Sequence, residues 1–366
     1  MKKRHSLGVL MDKAYVKAKY SYKTFLNTRY AHKRIKLIGG GYKGSAKEYR
    51  DVVLSYWKKY GKRPSRFWYT LLCNGKDAYD PRYIPDTMYY NDVLPYFNNL
   101  MMRRAYVDKG MYSILMPNVK KPETVVKNIA GYFYDGDGDH PISREEAIAL
   151  CAKEDHLIFK PSLDSGGGRS ILFYDAAEMD ASTIEKYFEE YQGNYVAQRL
   201  VKQHPDLARI HAQSLNTIRV ISLHFKDEVH ILSAQLRMGA GGSKVDNISA
   251  GGMSCPIKPT GWLEERSVTR KSEWRYEHPS GIKLKDICVP NYDKVIETIK
   301  RLHPQIPYFN LIGWDFSVDV DGDPVFIEMN VSPEPNQIAS GPTFGDITDE
   351  VLEELFITKS LAGKTN

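Results

Sequence analysis

Neighbouring cysteines are missing from this chain. Cys73, Cys151, Cys255 and Cys288 stand far apart with no C-x-x-C spacing, which argues against a disulfide framework and a cysteine-built zinc site and leaves reduced, mostly structural thiols. No apolar run approaches the ~20 residues that a membrane helix needs. The basic start has an apolar run over residues 7–11, too short for a signal peptide and ended by Asp12, so a cytoplasmic protein is expected. There is no Gly-x-Ser-x-Gly elbow and no Cys/His pairing signature, so no nucleophilic side chain is evident. A Walker A loop is missing too: Gly363-Lys364-Thr365 imitates its end, but Thr358 stands where the upstream glycine is required. We find no internal repeat and no low-complexity tail. Acidic residues are scarce at the start: residues 1–63 hold only Asp12, Glu48 and Asp51 against 18 Lys/Arg.

What is present is the balance of a globular protein. The 366 residues are 42% hydrophobic and 26% charged, enough for two or three structural units with a real core. The net charge of +6 conceals a basic head on an acidic body, a pattern that suggests an anionic partner. Tyr15, Tyr20, Tyr22, Tyr30, Tyr42, Tyr49, Tyr56 and Trp57 are interleaved with the head's basic residues. That mixture suits an anionic membrane surface, a nucleotide-linked substrate or nucleic acid, and equally a solvated helix packed on the next domain. Peripheral contact at the inner face of the membrane therefore stays open.

Residues 1–36 read as one or two basic helices and 45–60 as another, with Gly61 as its stop. Residues 61–100 look like loops and short helices. From about residue 122 strands and helices alternate: strands over 157–161, 170–174 and 195–201, and helices from Ser143 and over 182–191. Two long strands, 217–225 and 230–238, meet at a turn at Lys226-Asp227. A helix over 292–302 and a hairpin over 311–330 follow. The succession indicates an α/β or α+β unit.

The hairpin carries the strongest constellation. Alternating apolar residues flank Asp321-Gly322, a dipeptide that favours a two-residue type I′ turn. With that loop Val320 faces Asp323, and Asp315 falls opposite Glu328, Cβ atoms ~4.5–5.5 Å apart. Asn330, two residues on, shares that face. Carboxylates that close repel unless a cation lies between them, and three hard oxygen donors suit Mg²⁺. A strand with incidental acids is the plain alternative.

Lys160 ends a short apolar strand, and Ser165-Gly166-Gly167-Gly168 follow. Three consecutive glycines let backbone N–H groups approach a phosphate, or simply form a flexible turn. The strand end at Gln198-Arg199-Leu200-Val201 offers backbone groups to an adenine edge, with His204 or Asp206 near the ribose. Lys109 reads equally as a phosphate ligand and as a surface lysine.

These segments stand in the order found in ATP-grasp enzymes. The chain resembles the sugar-transfer-associated ATP-grasp family through Phe159-Lys160-Pro161, Gln203-His204-Pro205, Asn216-Thr217-x-Arg219-Val220, Asn247-x-x-Ala250-Gly251-Gly252 and Gly313-x-Asp315. The likeness covers about residues 80–345. It implies an α+β ATP-grasp fold, two subdomains clasping ATP, preceded by a basic helical region. The expected units are 1–65 (basic helical), 66–121 (linking), 122–201 (glycine loop), 202–350 (metal hairpin) and 351–366 (terminal helix and tail).

The resemblance further implies roles. Lys160 would touch phosphates and adenine, and Ser165, Gly166, Gly167 and Gly168 would cover the β/γ-phosphates. Gln198, Arg199 and Val201 would hold adenine, and His204 the ribose. Asp315, Glu328 and Asn330 would bind two Mg²⁺ ions. Arg219 and Arg237 would stabilise the transferring phosphoryl group, with ordinary strand ion pairs as their plain alternative. Asn247 would orient the acceptor, in what otherwise reads as a mobile loop. Gln198 departs from the glutamate of many relatives. The implied activity is an ATP-dependent ligase joining a small carboxylate and an amine through an acyl phosphate in cell-surface polysaccharide biosynthesis. A phosphotransferase without ligation, a nucleotide-binding module of the capsule machinery and, least, a nucleic-acid binder are the competing expectations.

Overall fold

The computed structural model describes residues 7–136, 140–163, 170–246, 251–268 and 274–359, with only the backbone for 7–20 and 23. Contacts divide the chain into two units. Met1–Asn98 and Glu334–Asn366 form one, and Asn99–Arg270 with Trp274–Pro333 form the other.

The first unit is helical. Its longest element is the helix Leu7–Leu37. The helical run predicted from residue 45 begins where Ser45 accepts from Glu48 N–H while the Glu48 carboxylate reaches back to Ser45 N–H, a reciprocal cap. It widens to a π-helical stretch over Tyr49–Leu54 and buries Tyr49, Val53, Trp57 and Tyr60. Val52, beside Val53 in the sequence, is exposed. Trp57 Nε1 donates to Tyr69 Oη at 2.5 Å and to Pro81 O at 2.9 Å, satisfying the buried indole. The end of the chain returns here: Gln337 bonds both the N–H and the C=O of Ile84, and Lys59 pairs with Asp349 at 2.8 Å.

The second unit contains two antiparallel sheets. In the first the strands run β3-β2-β1-β6-β4-β5, from β1 (Thr124–Ile129), β2 (Tyr132–Asp135), β3 (His140–Ile142), β4 (His156–Pro161), β5 (Leu172–Asp175) and β6 (Tyr195–Arg199). Helices Arg144–Cys151 and Ala181–Tyr191 cover one face. Ala147, Cys151, Ile184 and Phe188 meet Val126, Leu157, Phe159, Tyr174, Tyr195 and Ala197 there. Ser143 caps the first of these helices with Glu146. The strand expected over 195–201 stops at Arg199, so Val201 lies beyond it.

The second sheet runs β13-β12-β7-β8-β9. Its strands are β7 (Thr217–Phe225), β8 (Glu228–Met238), β9 (Met253–Pro256), β12 (Leu311–Val318) and β13 (Pro324–Asn330). β10 (Ser267–Val268) and β11 (Trp274–Arg275) pair as a separate two-stranded ribbon against β9, Ser267 Oγ donating to Ser254 O at 2.6 Å. The turn at Lys226-Asp227 has positive φ at both residues, the type I′ backbone. Trp314, Phe316, Phe326 and Met329 point to one face and join Val295, Ile299 and Leu302 of the helix Tyr292–Leu302. Each such side chain contributes about 1.5–3 kcal/mol by leaving water.

The hairpin β12–β13 differs from expectation at its tip. Only Gly322 has a positive φ there, so the turn is not type I′. Asp319 N–H donates to Asp323 O at 3.1 Å and Gly322 N–H to Asp319 O at 3.0 Å, leaving a three-residue loop. That loop moves the register by one residue from the expected one: Val318 faces Pro324. A bulge at Ile327, between the pairs Phe316–Phe326 and Asp315–Glu328, moves it back. Asp315 and Glu328 therefore end up opposed through two offsetting irregularities. Asp319 organises the loop: its carboxylate accepts from Asp321 N–H and Asp323 N–H and pairs with Lys120 at 2.5 Å.

Candidate active site

Strand pairing alone assembles a polar row on the second sheet. Gln235 of β8 lies opposite Arg219 of β7, Arg219 opposite Asp315 of β12, and Asp315 opposite Glu328 of β13. Period-two alternation puts this row on the face turned away from Trp314 and Phe316. Gly313 in the neighbouring row faces Asn330. A Cβ at Gly313 would stand 3.0 Å from Pro333 Cβ and 3.6 Å from Arg219 Cδ, so the missing side chain leaves room for the guanidinium.

Arg219 grips Asp315 with two parallel bonds, Nε to Oδ1 and Nη2 to Oδ2 at 2.6 Å, the fork geometry that makes such pairs strong. Arg237, one row away, adds Nη1 to Oδ2 at 3.3 Å. Burial pushes the Asp315 carboxyl up, but Arg219 and Arg237 outweigh it and hold the group below the ordinary carboxylate range. Burial opposes the Arg219 charge, and Asp315 outweighs it, raising the guanidinium above its ordinary value. Asp246 is buried beside Arg237 and takes a bond from Thr217 Oγ1. Burial lifts Asp246 to about 6, against the pull of Arg237.

The first sheet contributes Lys160, and a short turn bonded to it contributes Lys109. Asp108 caps a short turn by accepting from Gly110 N–H at 2.9 Å, and Lys109 N–H donates to Ser162 O at 3.1 Å, just past β4. Lys109 Nζ then reaches Glu328 Oε2 at 2.8 Å. Lys160 is buried on β4; burial, then the nearby Lys109 charge, lower its amine to about 8, while Glu328 pulls it up. Lys109, which the sequence left evenly balanced, is thus brought to the site. Asp246 was not singled out, its only signal being adjacency to Asn247, and Thr217 entered only as part of the Asn216-Thr217-x-Arg219 motif.

Gln198 faces Ile158 across β6 and β4, on the same side as Lys160. Its Nε2 donates to Thr124 Oγ1 at 3.0 Å, while its buried Oε1 has no hydrogen-bond partner among the described residues. A small open cleft lies beside it, lined by Lys109, Lys127, Thr124, Gln198, Phe326 and Ile327 among others. Arg199 is not with them. Its side chain points to the other face, held by Glu154 at 2.6 and 2.7 Å and by Glu123. Only its backbone is left for a ligand on the Lys160 side. His204 caps the short helix Pro205–Ala208, its Nδ1 accepting from Asp206 N–H at 3.2 Å, and its own N–H donates to Val318 O at 2.8 Å. It therefore sits where the chain passes from one sheet to the other, by the end of β12. Ser165, Gly166, Gly167, Gly168 and Asn247 lie outside the described residues.

Among the described residues no group of three His, Cys, Asp or Glu side chains gathers to hold a metal ion. The facing carboxylates of Asp315 and Glu328, with Asn330 beside them, are nevertheless hard oxygen donors of the kind magnesium takes. The donor set thus fits the ion, and Glu328, about one third exposed, stays open to solvent. Four cations (Lys109, Lys160, Arg219 and Arg237) outnumber the carboxylates of Asp315, Glu328 and Asp246. The surplus positive charge suits a polyanionic ligand.

The family described as sugar-transfer associated ATP-grasp matches residues 108–351. No curated protein matches the chain. Among solved structures it is similar to the ATP-grasp ligase PsnB complexed with a phosphomimetic variant of minimal precursor, Mg and ADP. The identity there is 14%, covering 74% of this chain and 61% of that one, with a TM-score of 0.39. D-alanyl-alanine synthetase A from Vibrio cholerae O1 biovar eltor gives 13% identity over 73% of this chain and 65% of that one, TM-score 0.40. D-alanine–D-alanine ligase from Bacillus anthracis complexed with ATP gives 15%, 70%, 67% and 0.40 in the same order. The chain spans less than two thirds of the length of the first two.

Proposed function

The chain belongs to the sugar-transfer associated ATP-grasp family, and on that premise we propose that it is an ATP-dependent carboxylate–amine ligase. The observation that carries the proposal is the row Arg219–Asp315–Glu328, with Arg237, Lys109 and Lys160 closing on it from both sheets. The triphosphate takes the surplus positive charge. Asp315, Glu328 and Asn330 hold magnesium, two ions by family likeness, which neutralises phosphate charge when bound. Gln198 Oε1, without a partner among the described residues, is the acceptor for the adenine amino group, and the backbone at Arg199 and Val201 follows the ring edge.

A substrate carboxylate oxygen attacks the γ-phosphorus, and the bond to the β–γ bridging oxygen breaks, releasing ADP. The amine then attacks the acyl carbon, phosphate leaves, and the amine gives up a proton. Arg219 and Arg237 meet the charge that develops on the transferred group; Lys109 and Lys160 orient the chain of phosphates. The acid is proposed to be a sugar-derived or other small carboxylate used in cell-surface polysaccharide, in keeping with the family's description.

Uronic-acid sugar nucleotides screened against amino acids test the reading, with ADP and phosphate release as the signal. Release should require both partners and fall at least a thousandfold in Asp315→Ala with Glu328→Ala. Full turnover in that variant defeats the proposal, as does a product that keeps the phosphate, which marks a phosphotransferase.

A further inference from the structure

The helix Leu7–Leu37 carries eight Lys/Arg and one acid, Asp12, and residues 13–47 hold no Asp or Glu at all. From residue 21 onward its two sides are distinct. The inner side packs on its own unit: Ala31 is buried, Thr24 Oγ1 accepts from Asn91 Nδ2 at 2.8 Å, and His32 stacks on Phe67 at 4.7 Å. The outer side leaves large apolar side chains in water: Tyr22 65%, Phe25 58%, Leu26 42%, Tyr30 55% and Leu37 54% exposed. At 100° per residue these five fall within one broad sector, and the exposed Arg29, Lys33 and Lys36 fall in it too. The surface runs about 22 Å along the helix at 1.5 Å per residue.

We propose that this outer face docks the protein on a lipid bilayer surface bearing anionic headgroups. Cations alone would suit any polyanion. Leucines and a phenylalanine kept in water among them favour a partner with an apolar layer beneath its charges. Tyr22 and Tyr30 have rings that lie at such a boundary with their hydroxyls in water. Arg29, Lys33 and Lys36 extend past the apolar side chains to the headgroups, their stems lying along hydrocarbon. A nucleic-acid backbone offers nothing to Leu26 and Leu37. No described helix is long and apolar enough to cross a membrane, so the attachment proposed is in the plane of the interface. It is independent of the ligase reading, because none of these residues belongs to the polar row.

Vesicle flotation of the full chain decides it, with phosphatidylcholine vesicles with and without phosphatidylglycerol. The expected result is recovery only with phosphatidylglycerol. Arg29→Gln with Lys33→Gln and Lys36→Gln should weaken partitioning about a hundredfold, near fivefold per charge. Tyr22→Ser with Leu26→Ser and Leu37→Ser should weaken it at least tenfold at equal charge, circular dichroism being unchanged, since all three are exposed. Equal recovery on neutral vesicles, no recovery on either, or full recovery of the serine variant each overturns the proposal. So does preferential, serine-insensitive binding to duplex DNA in place of vesicles.

Discussion

Lys160 shows how one buried amine couples binding to pH. Its folded value, about 8, lies well below the ~10.4 of a free lysine. Keeping it charged costs the fold stability at every pH below 8, and that cost is relieved as pH rises from 8 toward the free value. An anionic triphosphate favours the charged form, so binding near pH 8 takes up a proton. Calorimetry at pH 8 in two buffers of different ionisation enthalpy should show it, and Lys160→Met should remove the difference and lower nucleotide affinity at least a hundredfold. Asp315 behaves in the opposite sense. Asp315→Asn strands Arg219 in a buried site, at about 3–5 kcal/mol in urea unfolding, and adding Arg219→Met should recover part of it. Some of this was legible at the level of single residues. The alternation that set Gln198 toward the site also turned Arg199 away, yet adjacency in sequence grouped them. Lys109 reaches Glu328 across more than half the chain, a contact that no local pattern encodes.

Elements were clearest where the chain's own turn chemistry governs. Ser143 with Glu146 marks its helix start, and β7 ends at the Lys226-Asp227 turn. The hairpin tip was misread because Asp-Gly also serves a three-residue loop in which glycine alone is left-handed. The spacing held a clue: Phe326 and Met329 both enter the core, three residues apart, which no regular strand allows. Asp319→Ala removes the carboxylate that two backbone N–H groups and Lys120 bond to and should lower stability in urea unfolding by about 1–3 kcal/mol. Lys120 is nearly half exposed, so most of that loss belongs to the backbone bonds. In the first unit Gly41, at φ +69°, places a would-be Cβ 2.3 Å from Thr70 O, the acceptor of Tyr42 N–H. Gly41→Ala should cost more than about 1 kcal/mol by the same measurement.

At the scale of the molecule, two compact units with separate cores make a single unfolding transition unexpected. Scanning calorimetry should resolve two, and Mg-ATP at a hundredfold its dissociation constant should stabilise the one belonging to residues 99–333 by about 2.7 kcal/mol. The polar row lies in that unit with Lys109, Lys160, Arg219 and Arg237. The bulge at Ile327 gives this design an unusual tolerance. Without it, Phe326 and Glu328 would point the same way, and core and site would compete for one face. With it, Ile327 is the residue whose excision returns the ladder to regular pairing while every neighbour keeps its partner. A one-codon deletion there should leave Glu328 across from Asp315, whereas the same deletion at Met329 trades a core side chain for the amide of Asn330.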